Sequence, residues 1–149
     1  MVIKMSEYPR NFMKRYNHLL GELDAVYHEI SLKFGMSDSA VRILYTLCDN
    51  DDCCLLRDIC LLSGLSKQTV NSALRKLETE GIVYLKASGQ KHKSVCLTEK
   101  GRQLADRTVR LILRAENEIF ESWPQEDVGK YMELTERFLE DMKEKAKQL

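Results

Sequence analysis

Apolar side chains recur at spacings of three and four residues along the first third of the chain. This stripe runs from Phe12 to Phe34, about six helical turns, and predicts one long amphipathic helix. Gly35 follows the stripe, where a glycine commonly ends a helix, and Ser37 can cap a second, shorter helix. The polar run at residues 49–52 is predicted to end that helix, whose buried face carries Val41, Leu44 and Leu47.

The middle third predicts two helices separated by a glycine turn. The first begins near Leu56 and stops at Gly64. Ser66 can cap the second, which runs to about Glu80 and stops at Gly81. One face of this second helix is apolar at helical spacing, through Val70, Ala73, Leu74 and Leu77.

After Gly81 the apolar pattern changes to a period of two residues. Residues 82–86 and 95–97 therefore predict two strands, joined by a polar turn from Ser88 to Lys93 that contains Gly89. Two helices around a tight glycine turn, followed by a hairpin, predict a compact helix-turn-helix unit with an attached hairpin.

The last third returns to long helices. Thr98 and Glu99 are predicted to open a single helix whose stripe continues to Phe120. The Trp123-Pro124 step breaks it, because the residue before a proline leaves the helical region, and Pro124 can occupy the first turn of a final helix.

The terminal stripes are too long to be buried by the short central unit. We therefore expect a closed twofold dimer, the commonest soluble oligomer, with a monomeric helical bundle as the alternative. The predicted organisation is a helical dimerisation module, residues 1–36 and 103–149, around a winged helix-turn-helix domain at residues 37–102. The fold class is mainly α with a small β-hairpin wing: a winged helix-turn-helix core flanked by long terminal dimerisation helices.

The net charge of zero over 149 residues conceals an uneven distribution. Residues 57–102 hold 9 Lys/Arg and 4 Asp/Glu, a net charge of +5, whereas residues 1–56 carry −2 and residues 103–149 carry −3. A basic region confined to one part of a neutral chain indicates contact with a polyanion at that place, although an ordinary solvated surface is the alternative.

The second helix of a helix-turn-helix enters the major groove of DNA with its N-terminal half. Gln68 and Asn71 can bond adenine bidentately, Lys67 and Arg75 can pair with phosphate or guanine, and hydroxyls can reach phosphates or base edges. The turn would place basic side chains beside the helix as a wing. The candidate DNA-binding residues are Ser66, Lys67, Gln68, Thr69, Asn71, Ser72, Arg75, Lys76, Lys91, His92 and Lys93.

Three segments of this region resemble the winged-helix core of MarR-type transcriptional regulators. They are Leu61–Val70, Leu77–Val83 and Val95–Gly101. The resemblance implies a homodimeric DNA-binding regulator, often a repressor, that is released by a small molecule or by thiol oxidation. A twofold dimer with one recognition helix in each chain predicts a palindromic double-stranded DNA site. The absence of a membrane-spanning or signal-like apolar run predicts a cytoplasmic protein.

Two departures from the family pattern limit what the resemblance implies. The family's wing commonly carries Asp followed two residues later by an Arg that enters the minor groove, whereas here Lys91 and Lys93 are the candidates for that place. The peroxide-sensing branch uses a cysteine in the first helix, and the predicted first helix here has none.

Other chemistry has weaker support in the sequence. The five cysteines are expected to be thiols, with Cys53 and Cys54 the most exposed, and they leave a redox- or metal-responsive regulator as an alternative. Cys48, Cys53, Cys54 and Cys60 have poor spacing for a metal site. We expect no enzyme activity, cofactor, metal or membrane segment, because no catalytic motif appears and the longest apolar runs have four residues. A non-regulatory helical interaction protein is the other alternative.

An effector pocket, if the chain has one, is expected between the terminal helices and the winged helix. The candidate lining residues are Tyr16, Tyr27, His28 and Tyr45, each of which an ordinary core or surface role would also explain.

Overall fold

The computed structural model describes residues 8–149, and their side chains from residue 11 onward. In this part of the chain the helices are α1 (Tyr8–Lys33), α2 (Asp38–Cys48), α3 (Leu56–Ser63), α4 (Lys67–Thr79), α5 (Glu99–Asp106), α6 (Val109–Ser122) and α7 (Gln125–Ala146). The strands are β1 (Cys53–Leu55), β2 (Val83–Ala87) and β3 (Lys93–Leu97). The predicted fold class, mainly α with a hairpin wing, is confirmed.

The chain divides into two compact units, one ending at Val109 and the other comprising Arg110–Leu149. In the first unit, α2, α3 and α4 pack against one another and against the strands. Its core is aliphatic, and the largest fully buried side chains are Ile43, Leu44, Leu47, Ile59, Val70, Val83, Val95, Leu97 and Val109.

The sheet is antiparallel in the order β1-β3-β2, so β3 lies at its centre. The β2–β3 pair is the predicted hairpin, but the sequence analysis did not identify β1. Two aspartates with positive φ, Asp51 and Asp52, turn the chain directly into this strand. The amide of Leu97 then donates to the Asp52 carbonyl at 2.9 Å, so β1 adds to the edge of the hairpin left open by β2.

The predicted end of α1 and start of α2 are confirmed by their caps. The Ser37 hydroxyl accepts a hydrogen bond from the amide of Ala40 at 3.2 Å, which satisfies an otherwise unpaired donor at the start of α2. Gly35 has a φ of +67°, and the amide of Met36 returns to the Ser31 carbonyl at 3.1 Å. This left-handed turn closes the end of α1.

The predicted single helix from Thr98 to Phe120 is wrong. It is interrupted between α5 and α6, where Arg107 leaves the helical conformation and the amide of Thr108 bonds the Ala105 carbonyl three residues back. The Thr108 hydroxyl also donates to the Leu104 carbonyl at 2.6 Å. Because the apolar spacing continues through the break, periodicity alone could not show it.

Two turns of the first unit are joined where α5 begins. The Thr98 hydroxyl donates to the Gly81 carbonyl at 2.6 Å and accepts from the amide of Gly101 at 3.0 Å. The ammonium group of Lys100 donates to the Glu80 carbonyl at 2.9 Å. The end of α4 and the start of α5 are thereby fixed to each other at the base of the hairpin.

In the second unit, aromatic rings pack at the corner between α6 and α7. The ring centroids of Phe120 and Trp123 lie 5.0 Å apart and those of Trp123 and Tyr131 lie 6.1 Å apart, both pairs edge-to-face. The predicted break at Trp123-Pro124 is confirmed, although Pro124 caps α7 and does not lie in its first turn.

Both terminal helical regions present apolar side chains to solvent. No side chain of α7 is buried, and Tyr131, Met132, Phe138 and Leu139 are each more than half exposed. On α1 the side chains of Leu23 and Val26 are half exposed. None of the helices in residues 8–149 is both long and apolar enough to cross a membrane.

Candidate nucleic-acid interface

The turn between α3 and α4 is built by short-range hydrogen bonds. Gly64 takes a left-handed conformation with a φ of +70°, and the amide of Leu65 donates to the Ser63 hydroxyl at 3.2 Å. Ser66 then caps α4 by accepting from the amide of Thr69 at 3.2 Å, while its own hydroxyl donates to the Thr69 hydroxyl at 2.8 Å. Ser66 and Thr69, both predicted to contact DNA, are therefore hydrogen-bonded to each other in this structure.

The predicted reading face of α4 is open to solvent. Val70, Leu74 and Leu77 are buried against the first unit, so the opposite face of the amphipathic helix points outward. Asn71 is half-buried, whereas the other candidates on or capping this helix are exposed, namely Ser66, Lys67, Gln68, Thr69, Ser72, Arg75 and Lys76.

The wing is a short hairpin whose basic tip is exposed. The amide of Ser88 donates to the His92 carbonyl at 2.8 Å, and Gly89 supplies the positive φ, +81°, that the turn needs. Lys91, His92 and Lys93 all lie on the surface at this tip.

A concavity with a volume of about 670 Å³ lies between α4 and the wing. Lys67 and Asn71 line it from α4, and Lys91, His92 and Lys93 line it from the wing. The structure thus brings five of the eleven predicted DNA-binding residues around one concavity. The other six lie outside it, along the cap and solvent face of α4.

One basic residue of this concavity was not among the candidates. Arg57 lies in the first turn of α3, with its side chain 65% exposed and its Nε 3.8 Å from a carboxylate oxygen of Asp58. The sequence analysis included Arg57 only in the basic region, because Arg57 precedes the first residue of α4 by ten residues. Its place beside Lys67 and the wing gives the concavity a third source of positive charge.

The rest of the lining of the concavity is mainly apolar. Leu55, Leu56, Cys60 and Leu61 complete its lining, and Leu61 is 79% exposed.

The four candidate effector residues do not form a group around either cavity described in this structure. Tyr16 and Tyr27 are eleven residues apart on α1, about 16 Å along the helix axis. The His28 ring lies 2.8 Å from a carboxylate oxygen of Asp38, and Tyr45 is half-buried on α2. A second cavity, of about 450 Å³, lies in the second unit beside Phe120 and Trp123.

The expectation that all five cysteines are thiols is wrong, and so is the exposure predicted for Cys54. Cys53 is bonded to Cys96 across the β1–β3 pair. Cys54 is buried on the other face of β1, and burial, together with the negative charge of Asp58, raises the pKa of its thiol. In residues 8–149 no three histidine, cysteine or acidic side chains are grouped as metal ligands.

The fold has many relatives among solved structures. A MarR family transcriptional regulator from Silicibacter pomeroyi shares 19% identity and a TM-score of 0.73, over 93% of this chain and 96% of that one. MepR of S. aureus, solved in complex with DNA, shares 17% identity and a TM-score of 0.66, over 87% and 96% of the two chains. NadR, solved in complex with 4-hydroxyphenylacetate, shares 16% identity and a TM-score of 0.65, over 93% of this chain and 96% of that one.

The sequence comparisons agree with the fold. No curated protein matches the chain significantly. Residues 34–94, which run from the end of α1 into β3, match the sequence model of the MarR family. The winged-helix region of this chain therefore matches the sequence model of the MarR family, and nearly the whole chain has the fold of MarR family regulators.

Proposed function

We propose that the protein is a sequence-specific, double-stranded DNA-binding transcriptional regulator that acts as a homodimer. The observation that carries the proposal is the concavity shared by α4 and the wing. It presents Lys67 and Asn71 beside Lys91 and Lys93, so one duplex can contact a reading helix and a cationic hairpin together. The proposed role is binding without catalysis.

The proposed contacts divide into reading and positioning. On α4 the amide side chain of Gln68 is exposed and that of Asn71 is half-buried. Such an amide can form two hydrogen bonds with adenine in the major groove. Lys67, Arg75, Lys91 and Lys93 would bind phosphates, which fixes orientation without specifying sequence. Ser66 and Thr69 share two hydrogen bonds, yet each hydroxyl keeps acceptor capacity for a further contact.

The exposed apolar faces of the terminal helices support the dimer. Monomeric proteins seldom expose large contiguous apolar patches to water, and α1 and α7 each expose several large apolar side chains. A twofold axis relating two recognition helices would match a palindromic site with half-sites about 10 base pairs apart. The DNA complex of MepR supports the same use of the fold.

Selection of bound duplexes from a random-sequence pool tests this proposal. We expect a twofold-symmetric consensus with A·T pairs at the positions that Gln68 and Asn71 reach, and binding that weakens steeply with salt. Dimeric protein that selects no sequence at low salt would instead favour a helical interaction protein without a regulatory DNA role.

We further propose that the protein is a cytoplasmic repressor released by a small-molecule effector. The 4-hydroxyphenylacetate complex of NadR supports an aromatic ligand for this fold, and Tyr16, Tyr27, His28 and Tyr45 remain the candidate contacts. The test is displacement of the selected duplex by a panel of aromatic acids, together with a reporter gene placed behind the selected site. Rising reporter expression on adding the acid is expected, and activation by the protein alone would contradict a repressor.

A further inference from the structure

Two cysteines face each other across the outer strand pair of the sheet. The amide of Leu97 donates to the Asp52 carbonyl, so the next pair, Cys53 and Cys96, lies in the non-hydrogen-bonded register where opposed side chains approach most closely. Their Cα atoms are 4.1 Å apart and their sulfur atoms are joined.

The two cysteines lie at the two ends of the segment that carries the proposed DNA contacts, residues 53–96, here called the DNA-reading unit. Residues 53–96 contain α3, the turn, α4, β2 and the basic tip of the wing. A covalent bond between Cys53 and Cys96 therefore closes a ring at the base of that unit. Every candidate DNA contact lies inside the ring, and Lys93, the nearest, is three residues from Cys96.

We propose that Cys53 and Cys96 are a reversible thiol–disulfide pair, in which oxidation covalently closes the DNA-reading unit at its base and leaves its DNA-facing side chains in place. The backbone hydrogen bonds between β1 and β3 do not depend on the bond, so the reduced and oxidised chains share one fold.

The difference in exposure between Cys53 and Cys96 indicates which of the two thiols a peroxide oxidises first. Cys53 is half-buried, whereas Cys96 is 2% exposed, so a small peroxide in solution meets Cys53 first. The Cys53 thiolate attacks one peroxide oxygen, giving a sulfenic acid and, after protonation of the leaving hydroxide, water. The Cys96 thiol then displaces the second hydroxyl as water, so two thiols and one hydrogen peroxide become one disulfide and two waters. A dithiol reductant reverses the bond by exchange.

The neighbouring cysteine cannot take the part of Cys96. Successive residues of a strand point to opposite faces, so Cys54 lies opposite Val95 on the buried face. The raised pKa of its thiol reduces the thiolate available for reaction. Cys60 is one of the residues of the concavity, on α3, and so belongs to a different surface.

Peroxide treatment of the fully reduced chain, followed by alkylation in denaturant and peptide mapping, tests the pair. We expect three alkylated cysteines, a Cys53–Cys96 linked peptide, and a melting midpoint higher by about 5 °C or more, because the bond restrains a long loop of the unfolded chain. Dithiothreitol should restore five alkylated cysteines and the lower midpoint.

Matched variants separate this pair from general oxidation. Cys53→Ser and Cys96→Val should each lose both the linked peptide and the shift, whereas Cys60→Ser should keep them. Five alkylated cysteines after peroxide in the folded wild type, or a map dominated by another pair or by chain-to-chain bonds, would overturn the proposal.

The claim that DNA contacts survive oxidation rests on the proposed function and has its own measurement. Reduced and oxidised chains are titrated onto a duplex that the reduced chain binds, and we expect affinities within about twofold of each other, about 0.4 kcal/mol. A tenfold or greater loss on oxidation, restored by dithiothreitol, would overturn this claim while leaving the mapped bond intact. Failure of the reduced chain to bind any duplex would count against the proposed function and not against the thiol pair.

Discussion

The imidazole Nδ1 of His28, near the end of α1, lies 2.8 Å from a carboxylate oxygen of Asp38 in the first turn of α2. The hydrogen bond from His28 is the main reason that the pKa of Asp38 lies below its ordinary value, followed by a hydrogen bond from Ser31. The pair therefore joins the long first helix to the winged-helix unit through side chains that are both more than half exposed.

The lowered pKa of Asp38 predicts an acid-sensitive contribution to stability. A carboxylate whose pKa is depressed by folding stabilises the native state above its unfolded pKa, about 3.9, and the contribution is lost as the pH falls through the folded pKa. Asp38→Asn should cost less than about 1 kcal/mol at pH 7, because the pair is exposed to solvent. Denaturant unfolding should show this difference closing as the pH falls below the unfolded pKa, and an Asp24→Asn control on α1 should show a smaller difference at pH 7.

Gly101 predicts a steric effect at the base of the wing. A Cβ at this position would overlap the backbone carbonyl oxygen of Ile82, and the backbone there is fixed by the hydrogen bonds of Thr98. Gly101→Ala should therefore lower the free energy of unfolding by roughly 3 kcal/mol. Gly21→Ala is the control, since nothing lies within 4 Å of its Cβ; it should raise stability by about 0.5–1 kcal/mol. Equal effects at both glycines would contradict the close approach.

Gln68 and Asn71 are predicted to set base preference. Changing either to Ala should relax one base position in each half-site at a cost of about 1–3 kcal/mol for the preferred duplex. Glu78→Gln, near the far end of α4, should leave the preference unchanged. Binding to the selected and scrambled duplexes is the measurement, and an equal loss on both would show that these amides do not read bases.

Lys91 and Lys93 are predicted to bind phosphates. Each neutralised phosphate contributes about 0.9 to the slope of log affinity against log salt, so removing two lysines from each chain of a dimer should reduce the slope by about 3.6. The selected sequence should stay nearly constant, because lysine acts as a point charge. An unchanged slope for Lys91→Ala/Lys93→Ala would exclude the wing from the interface, and a lost preference for A·T pairs would assign it to the minor groove.

The exposed face of α7 is predicted to hold two chains together. Leu139 is 52% exposed in the single chain, so Leu139→Glu should leave each chain folded but place a charge in the apolar interface. Light scattering should then give monomers at micromolar concentration, whereas Arg137→Glu on the opposite, polar face of α7 should remain dimeric. Deleting residues 128–149 should give monomers or insoluble chain, and a soluble dimeric truncation would place the interface elsewhere.

The caps and glycines explain why so much of this fold was predictable. Ser37, Ser66 and Thr98 each accept the backbone bond that their position implied, because N-capping is a local property of a few residues. The strand β1 was missed because it has three residues without alternation and gains its hydrogen bonds from β3, which lies 39–43 residues later in the chain. Such pairing is set by tertiary structure, which local pattern does not encode.

The candidate site was predictable in composition and less so in arrangement. The amphipathic pattern placed the polar face of α4 correctly, since burial of Val70 and Leu74 turns the rest outward. Arg57 was missed because only the folded turn brings the start of α3 beside Lys67 and the wing. The pairing of Cys53 with Cys96 and not with its neighbour likewise follows from strand register, which the sequence spacing does not reveal.

The absence of buried side chains on α7 has a thermodynamic consequence. Apart from the ring contacts of Tyr131, a 22-residue helix with no buried side chain gains little beyond its own backbone hydrogen bonds, which leave an isolated helix only marginally stable in water. If a second chain supplies the missing contacts, mass action governs this end of the molecule, and its stability rises with the logarithm of protein concentration. In dilute solution α7 would be the first helix to fray, and the same chain would melt at a higher temperature when concentrated.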